Sequence, residues 1–339
     1  MLEKKLEGPN LPMNINSELI SWLMDGDPAI RWQTLREVQE APAGAWQVER
    51  RRTLDKGWGE RFLALQAPDG SWGGGIYSPK WISTTYTLLG LRDIGIPNDH
   101  PPVQKAAALV VDKLIGPRRD EAFMRQLAAL DRCIVGMNLS LATYFGIRDG
   151  RVEAMVENLL AEQMPDGGWN CRRGRKPAPQ HSSFHTTFNV LEGLREWLET
   201  TPEDALRNEV LEAEKEALEL LLEHRLFKSD KTGKVIHHNF TLLSYPHRWY
   251  YNVLRGLEYF ARVNWPQDER LQEAIDLLFY RRRADGTWPV QHKYPGKVFF
   301  DMEKTGGPSR WNTLRALRVL QWWERSSGKG ASEAMSQEM

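Results

Sequence analysis

The side chains best suited to chemistry are Asp131 and Cys133, one residue apart, and His185, with Cys171 between them along the chain. Asp131-Arg132-Cys133 opens one helical stretch and Ser183-Phe184-His185-Thr186-Thr187 opens the next of its kind. The three ligand-type side chains therefore lie near one level of neighbouring repeats. Carboxylate, thiolate and imidazole together suit zinc, and three protein ligands with an open fourth position is the pattern of a catalytic zinc ion. Cys171, in the intervening loop, is a substitute or fourth ligand, with His181 and His247 as weaker ones. The same residues also have plainer roles: Asp131 as a helix N-cap, the cysteines as small buried groups, His185 as a core histidine with a backbone partner.

A candidate acid lies in Phe299-Phe300-Asp301-Met302-Glu303, where aromatic neighbours raise a carboxyl pKa if they desolvate Asp301. Its alternative is a solvated loop carboxylate or a cap for the helix near Pro308. His247 joins Asp301 as a catalytic candidate within Tyr245-Pro246-His247-Arg248-Trp249-Tyr250-Tyr251. There Arg248 is suited to an anionic group such as diphosphate or carboxylate, or else to a salt bridge at a helix start. Trp81, Phe184, Trp249, Tyr250 and Trp311, with Tyr86, are candidates to line a substrate cavity and to stabilise cations through their ring faces. The basic run Arg172, Arg173, Arg175 and Lys176 has no phosphate-cradling Gly-rich motif beside it and reads as a solvated loop.

Helices must position these groups. A phrase is written three times: Gln66-Ala-Pro-Asp69-Gly70-Ser-Trp72, Gln163-Met-Pro-Asp166-Gly167-Gly168-Trp169 and Arg283-Ala-Asp285-Gly286-Thr-Trp288. Each copy follows one amphipathic stretch and precedes another, the mark of a helical-hairpin repeat. Helical periodicity places hairpins at Ser17 to Glu40 and from Trp46 through Gln66 to Leu91. Four more pairs follow: Val103 to Leu114 with Asp131 to Phe145, Val152 to Gln163 with Ser182 to Trp197, Arg207 to Arg225 with Pro246 to Val263, and Arg270 to Arg283 with Pro308 to Trp323. Six pairs are enough to close a ring. Strands are confined to short hairpins near Lys228 to Phe240 and Pro289 to Phe300. The second helices share a Leu-x-small-Leu register: Leu88-Leu89-Gly90-Leu91, Leu191-Glu192-Gly193-Leu194, Leu254-Arg255-Gly256-Leu257 and Leu314-Arg315-Ala316-Leu317. A mid-helix Gly costs about 1 kcal/mol against Ala, so its recurrence argues for close helix packing.

With 339 residues, 41% hydrophobic content and 45 cationic against 45 acidic side chains, the chain buries a large core and is no polybasic nucleic-acid binder. The first residues lack an apolar signal core and no apolar run approaches about 20 residues, so a cytoplasmic location is expected. Peripheral contact with a membrane and the oligomeric state stay open. Two cysteines are too few for a disulfide scaffold.

Six helix pairs with Gln-x-x-x-Gly-x-Trp-like turns resemble the terpenoid cyclase and protein prenyltransferase superfamily, across roughly Ser17 to Trp323. The resemblance implies an all-α fold, an (α/α)6 toroid whose inner helices surround a central funnel. It makes Gln66, Trp72, Gln163, Trp169 and Trp288 structural ties between repeats. Residues 1–16 then form an N-terminal extension, 17–325 a single toroid domain and 326–339 a disordered tail. Protein prenyltransferases are similar in holding zinc by an Asp-x-Cys at one inner helix start and a His at the next, which Asp131, Cys133 and His185 match. His185 stands eight residues before Gly193, one off the seven between Cys133 and Ser140. The Asp-x-Asp-Asp acid of squalene-type cyclases is absent, as is the Asp-rich magnesium motif of class I terpene synthases. The expectation is a prenyltransferase-like or cyclase-like enzyme on a hydrophobic, isoprenoid or lipid-like small molecule, with zinc as cofactor. Two alternatives stand beside it: a metal-free isoprenoid cyclase or isomerase using Asp301, and a non-catalytic ligand- or protein-binding toroid.

Overall fold

The computed structural model describes residues 16–171, 177–201 and 205–337, with backbone alone from 327 onward. It is mostly helical, 57% helix and 3% strand. The helices are α1 (Ser17–Met24), α2 (Pro28–Gln33), α3 (Ala43–Arg51), α4 (Gly57–Leu63), α5 (Thr84–Asp93), α6 (Pro101–Leu114) and α7 (Glu121–Ala129). They continue with α8 (Arg132–Tyr144), α9 (Gly150–Ala161), α10 (Phe184–Thr200), α11 (Arg207–Glu223), α12 (Val253–Arg262), α13 (Gln272–Tyr280) and α14 (Arg310–Gln337). The basic run at 172–176 and the first fifteen residues lie outside the described residues. So do the side chains from 327 onward and residues 338–339, where the tail was expected. No helix among the described residues is long and apolar enough to cross a membrane.

The repeated phrase folds the same way each time. The Trp72, Trp169 and Trp288 side chains are fully buried, and each Nε1 donates to the carbonyl ten positions earlier, at Phe62, Leu159 and Leu278, at 2.7 Å. The backbone N–H of each Trp donates to a threonine opening the following helix: Thr84 at 3.0 Å, Thr187 at 3.0 Å, Thr313 at 2.9 Å. The preceding glycine adopts the left-handed conformation that the turn requires, φ +92° at Gly70, +87° at Gly167 and +81° at Gly286. Gln66 and Gln163 each donate twice, to the carbonyl of that glycine and to the next hairpin at Pro102 or Ala213. The phrase thus latches each turn to the helix before it and the helix after it, and the two copies that begin with glutamine also tie to the neighbouring repeat.

The Leu-x-small-Leu register brings backbones together at α8 and α10. A Cβ on Gly193 would lie 2.5 Å from the Gly136 carbonyl oxygen, and one on Gly136 would lie 2.4 Å from that of Asn189. Gly90 is different, with nothing nearer than Phe62 at 3.8 Å. Side chains, with the close backbone approach of α8 and α10 at Gly136 and Gly193, link α2, α5, α8, α10, α12 and α14 in that order. Trp32 Nε1 of α2 donates to Ile94 O at 2.9 Å, Arg92 reaches Ser140, and Tyr259 OH donates to Leu191 O at 3.0 Å. Helix α14 packs on α12 through Arg315 and Glu258, then returns to the start of the chain. Its Arg318 donates to Gln33 Oε1 at 2.9 Å and its Gln321 to Val38 O at 3.2 Å.

The single helix expected over Trp46 to Gln66 is two, α3 and α4, and three further details differ from expectation. Helix α7 is additional, opened by Asp120, whose carboxylate accepts from Phe123 N at 2.9 Å. Helix α12 begins at Val253 rather than Pro246, because Arg248 adopts φ +59°, outside helical geometry. The second strand pair joins β1 (Trp288–Pro289) to β2 (Pro308–Ser309), just ahead of α14, instead of closing within residues 289–300.

Candidate active site

A cavity of about 610 Å³ lies among α5, α10, α12 and α14. Its walls follow from the Leu-x-small-Leu register. Glu192, Arg255 and Arg315 occupy the x place, and Glu258 and Arg318 follow one turn later on α12 and α14. Residues three apart share a helix face, so while the leucines pack into the core these charges face the cavity. The lining is charged, where a hydrophobic substrate was expected.

The charges form a network. Arg255 Nε donates to Glu192 Oε1 at 2.7 Å, while Arg92 Nη2 reaches Glu192 Oε2 at 3.0 Å and Asp93 Oδ1 at 2.9 Å. Glu258 takes Arg315 at 2.5 Å and Arg318 at 3.2 Å, and Arg318 also holds Glu37 at 2.6 Å. Two carboxyls on one guanidinium are treated oppositely. Burial works against the charge of Glu192, but Arg255 and Arg92 outweigh it and hold this carboxyl well below the usual range. Burial dominates at Asp93 and raises its pKa, Arg92 opposing and the charge of Glu192 adding to the rise.

His247 completes the group. Its Nδ1 lies 2.8 Å from the Arg248 carbonyl, which can only accept, so Nδ1 carries the hydrogen and Nε2 offers a lone pair. That Nε2 is 3.8 Å from Asp93 Oδ2. Burial, reinforced by Arg255, pushes the imidazole well below its ordinary pKa and keeps it neutral. Asp93 and His247 are thus a proton carrier and a proton acceptor on one side of a cavity walled by paired guanidiniums and carboxylates.

A narrow extension with room for about one water leads past Tyr86, Leu89 and Asn189 to Arg248. Burial draws this guanidinium down to about 10, and it lies 5.5 Å from the Trp81 ring. Unlike Arg92, Arg255, Arg315 and Arg318, it has no carboxylate partner among the described residues.

His247 and Trp311 therefore line the cavity and Arg248 its extension, whereas the other expected binding residues form an aromatic cluster beyond it. Trp81 meets Tyr86 edge to face at 4.8 Å, Trp249 stacks on Tyr250 at 4.2 Å, and Tyr250 stacks on Tyr294 at 3.7 Å. Lys80 sits 5.3 Å from the Trp249 ring. Phe184 packs against Phe240 and Tyr251.

Asp301 is exposed and paired with Lys293, away from the cavity. Its neighbour Phe300 turns inward onto Phe62 at 4.7 Å, which leaves the carboxylate outside. The more sheltered acid of that segment is the half-buried Glu303, which accepts from Trp311 N at 3.0 Å and from Ser309 and so caps α14.

The zinc ligands do not assemble either. Cys133 and Cys171 have their sulfurs 3.2 Å apart. His185 turns away: its Nδ1 accepts from Tyr251 N at 2.9 Å, its ring lies against Trp249, Tyr250 and Phe240, and burial lowers its pKa to about 4. Asp131 is the N-cap residue of α8. Among the described residues no three His, Cys, Asp or Glu side chains stand where they could hold a metal ion, so this donor set does not fit a three-ligand zinc.

Sequence reasoning reached His247 but missed Asp93, Glu192 and Arg255. The available signal was charge at the x place of an otherwise apolar motif.

No family model and no curated protein matches the chain. Among solved structures, it is similar to the apo type II terpene cyclase MstE from Scytonema, at 13% identity over 89% of each chain with a TM-score of 0.42. A variant of that cyclase in complex with geranylgeranyl dihydroxybenzoate gives 13% identity over 88% of this chain and 87% of that one, TM-score 0.42. A polysaccharide lyase gives 13% identity over 70% of this chain and 76% of that one, TM-score 0.35. Identity this low and overlap this loose carry no activity over to this chain.

Proposed function

We propose that the chain is a closed ring of helical hairpins, the α/α toroid, and an enzyme that moves a proton on a small polar substrate bearing an anionic group. The observation behind this reading is the pair Asp93 and Glu192, pushed apart in pKa on a shared Arg92, beside a neutral His247 in a cavity of about 610 Å³. Opposed shifts in neighbouring titratable groups mark acid and base assignments. Asp93 is the general acid, His247 Nε2 takes or relays the proton, and Arg248, which has no carboxylate partner among the described residues, holds the negative charge of the substrate. The cavity volume falls within the roughly 300–1,000 Å³ of small-molecule sites. The side-chain links from α2 round to α14 and back support the ring.

A cavity lined by paired guanidiniums and carboxylates suits a polar ligand better than a prenyl chain, so isoprenoid chemistry is a second reading and belongs at the aromatic cluster. What favours it there is the stack of Trp249, Tyr250 and Tyr294, whose faces suit a prenyl chain. Thermal unfolding with small carboxylates, phosphate esters and prenyl alcohols separates the two. A ligand at 100 times its Kd stabilises by about 2.7 kcal/mol. The proton-transfer reading expects an organic anion to raise Tm in the native protein and not in Arg248→Gln. Stabilisation by prenyl alcohols alone, lost in Trp249→Ala, would replace it with the second reading.

A further inference from the structure

The two cysteines of the chain stand outside the cavity, 38 positions apart in sequence and 3.2 Å apart at sulfur. Cys133 is buried in the first turn of α8, and Cys171 is half-buried just after the Trp169 latch. The latch holds that stretch in place. Trp169 N donates to Thr187 Oγ1 at 3.0 Å, Asn170 Nδ2 to His181 O at 2.6 Å, and Cys171 N to Asn170 Oδ1 at 2.8 Å. Cys171 Sγ also lies 3.3 Å from Thr186 Oγ1, on α10. Sulfurs so placed need to close by only about 1 Å to reach disulfide bonding distance.

We propose that Cys133 and Cys171 form a redox-active dithiol, which small disulfides of the glutathione class oxidise to an intramolecular disulfide. Cys171 is the accessible partner and reacts first. As a thiolate it attacks one sulfur of the small disulfide, whose S–S bond breaks and releases one small thiolate. Cys133 then gives up its proton and attacks Cys171 Sγ, forming the Cys133–Cys171 bond and expelling the second small thiolate. Both cysteine protons end on the released thiols, and the two electrons lost by the cysteines reduce the reagent. The bond ties the start of α8 to the segment that leads into α10.

The test treats the purified full-length protein with oxidised glutathione, blocks remaining thiols with a maleimide and maps peptides by mass spectrometry. Expected are no maleimide-labelled thiols, a Cys133–Cys171 cross-linked peptide, a mass lower by two hydrogens, and full recovery of both thiols with dithiothreitol. Cys133→Ser should stop at glutathionylated Cys171, and Cys171→Ser should leave Cys133 unmodified. Native protein that accumulates glutathionylated Cys171 without the cross-link, or that links between chains instead, overturns the proposal. So does native protein carrying one zinc per chain that is released only when both thiols are alkylated. Cys133→Ala serves if the serine variant fails to fold, and the native mapping decides the matter without either variant.

Discussion

Replacing Arg255 by Met keeps the length of the side chain and removes its donors. Arg255 is 3% exposed and donates to Glu192 Oε1 at 2.7 Å, to Tyr250 O at 2.9 Å and to Asn189 Oδ1 at 3.3 Å. Breaking one partner of a buried ion pair costs about 3–5 kcal/mol, because the remaining charge is left uncompensated. Arg92 still holds Glu192 at 3.0 Å, which places the loss at the low end, about 3 kcal/mol at pH 7. For a chain of this size that lowers Tm by about 6 °C. The sign of the pH dependence is fixed by Glu192, whose pKa is depressed in the folded protein. Its stabilisation is present above the unfolded carboxyl pKa of about 4.3 and is lost as pH falls through the lower folded value. The gap between native and variant protein should therefore be widest near neutrality and narrow on acidification. Urea unfolding at a series of pH values measures it. A loss under about 1 kcal/mol at pH 7, or a loss that does not change with pH, would refute the view that Arg255 holds a charged Glu192.

Asp93 carries the opposite sign. A carboxyl whose folded pKa is raised favours the protonated protein, so its contribution is greatest below the unfolded pKa of about 3.9 and is lost as pH rises through the folded value. Asp93→Asn should accordingly raise Tm at pH 7, not at pH 3, and abolish turnover of any substrate found; a lower Tm at pH 7 would contradict it. Gly193→Ala should destabilise by about 1–3 kcal/mol, since its Cβ meets the Gly136 carbonyl at 2.5 Å, whereas Gly90→Ala should stabilise by up to about 1 kcal/mol. Equal effects at the two glycines in denaturant unfolding would count against the packing argument. Thr187→Val leaves the buried Trp169 N–H without its acceptor and should cost about 1–3 kcal/mol by the same assay.

The repeated turns of the structure were legible because they are local and recur. A turn that needs a left-handed glycine, a buried indole and a glutamine to the next hairpin can be read from spacing alone, and Gly193 follows from its register. The chemistry was less legible, and for identifiable reasons. Asp93 ends α5 and is made acid-like by burial beside Arg92, Glu192 and His247, groups that only the tertiary fold brings to it. Asp301 misled because aromatic neighbours in an irregular loop say nothing of which way the carboxylate points. His185 matched a level along the chain, but its ring nitrogen is claimed by the Tyr251 N–H, 66 positions away. Glu192, Arg255 and Arg315 were visible as charges inside a leucine motif, and the inward face of that motif follows from helix geometry.

The central claim is that Asp93 keeps its proton where Glu192 has lost its own. Carbon-13 chemical shifts of the labelled side-chain carboxyls, followed through pH and assigned with Asp93→Asn and Glu192→Gln, test it directly. At about pH 4, where ordinary carboxylates are half ionised, Glu192 should already be charged and Asp93 still protonated. Asp93 ionising at or below the pH at which Glu192 does would contradict the account.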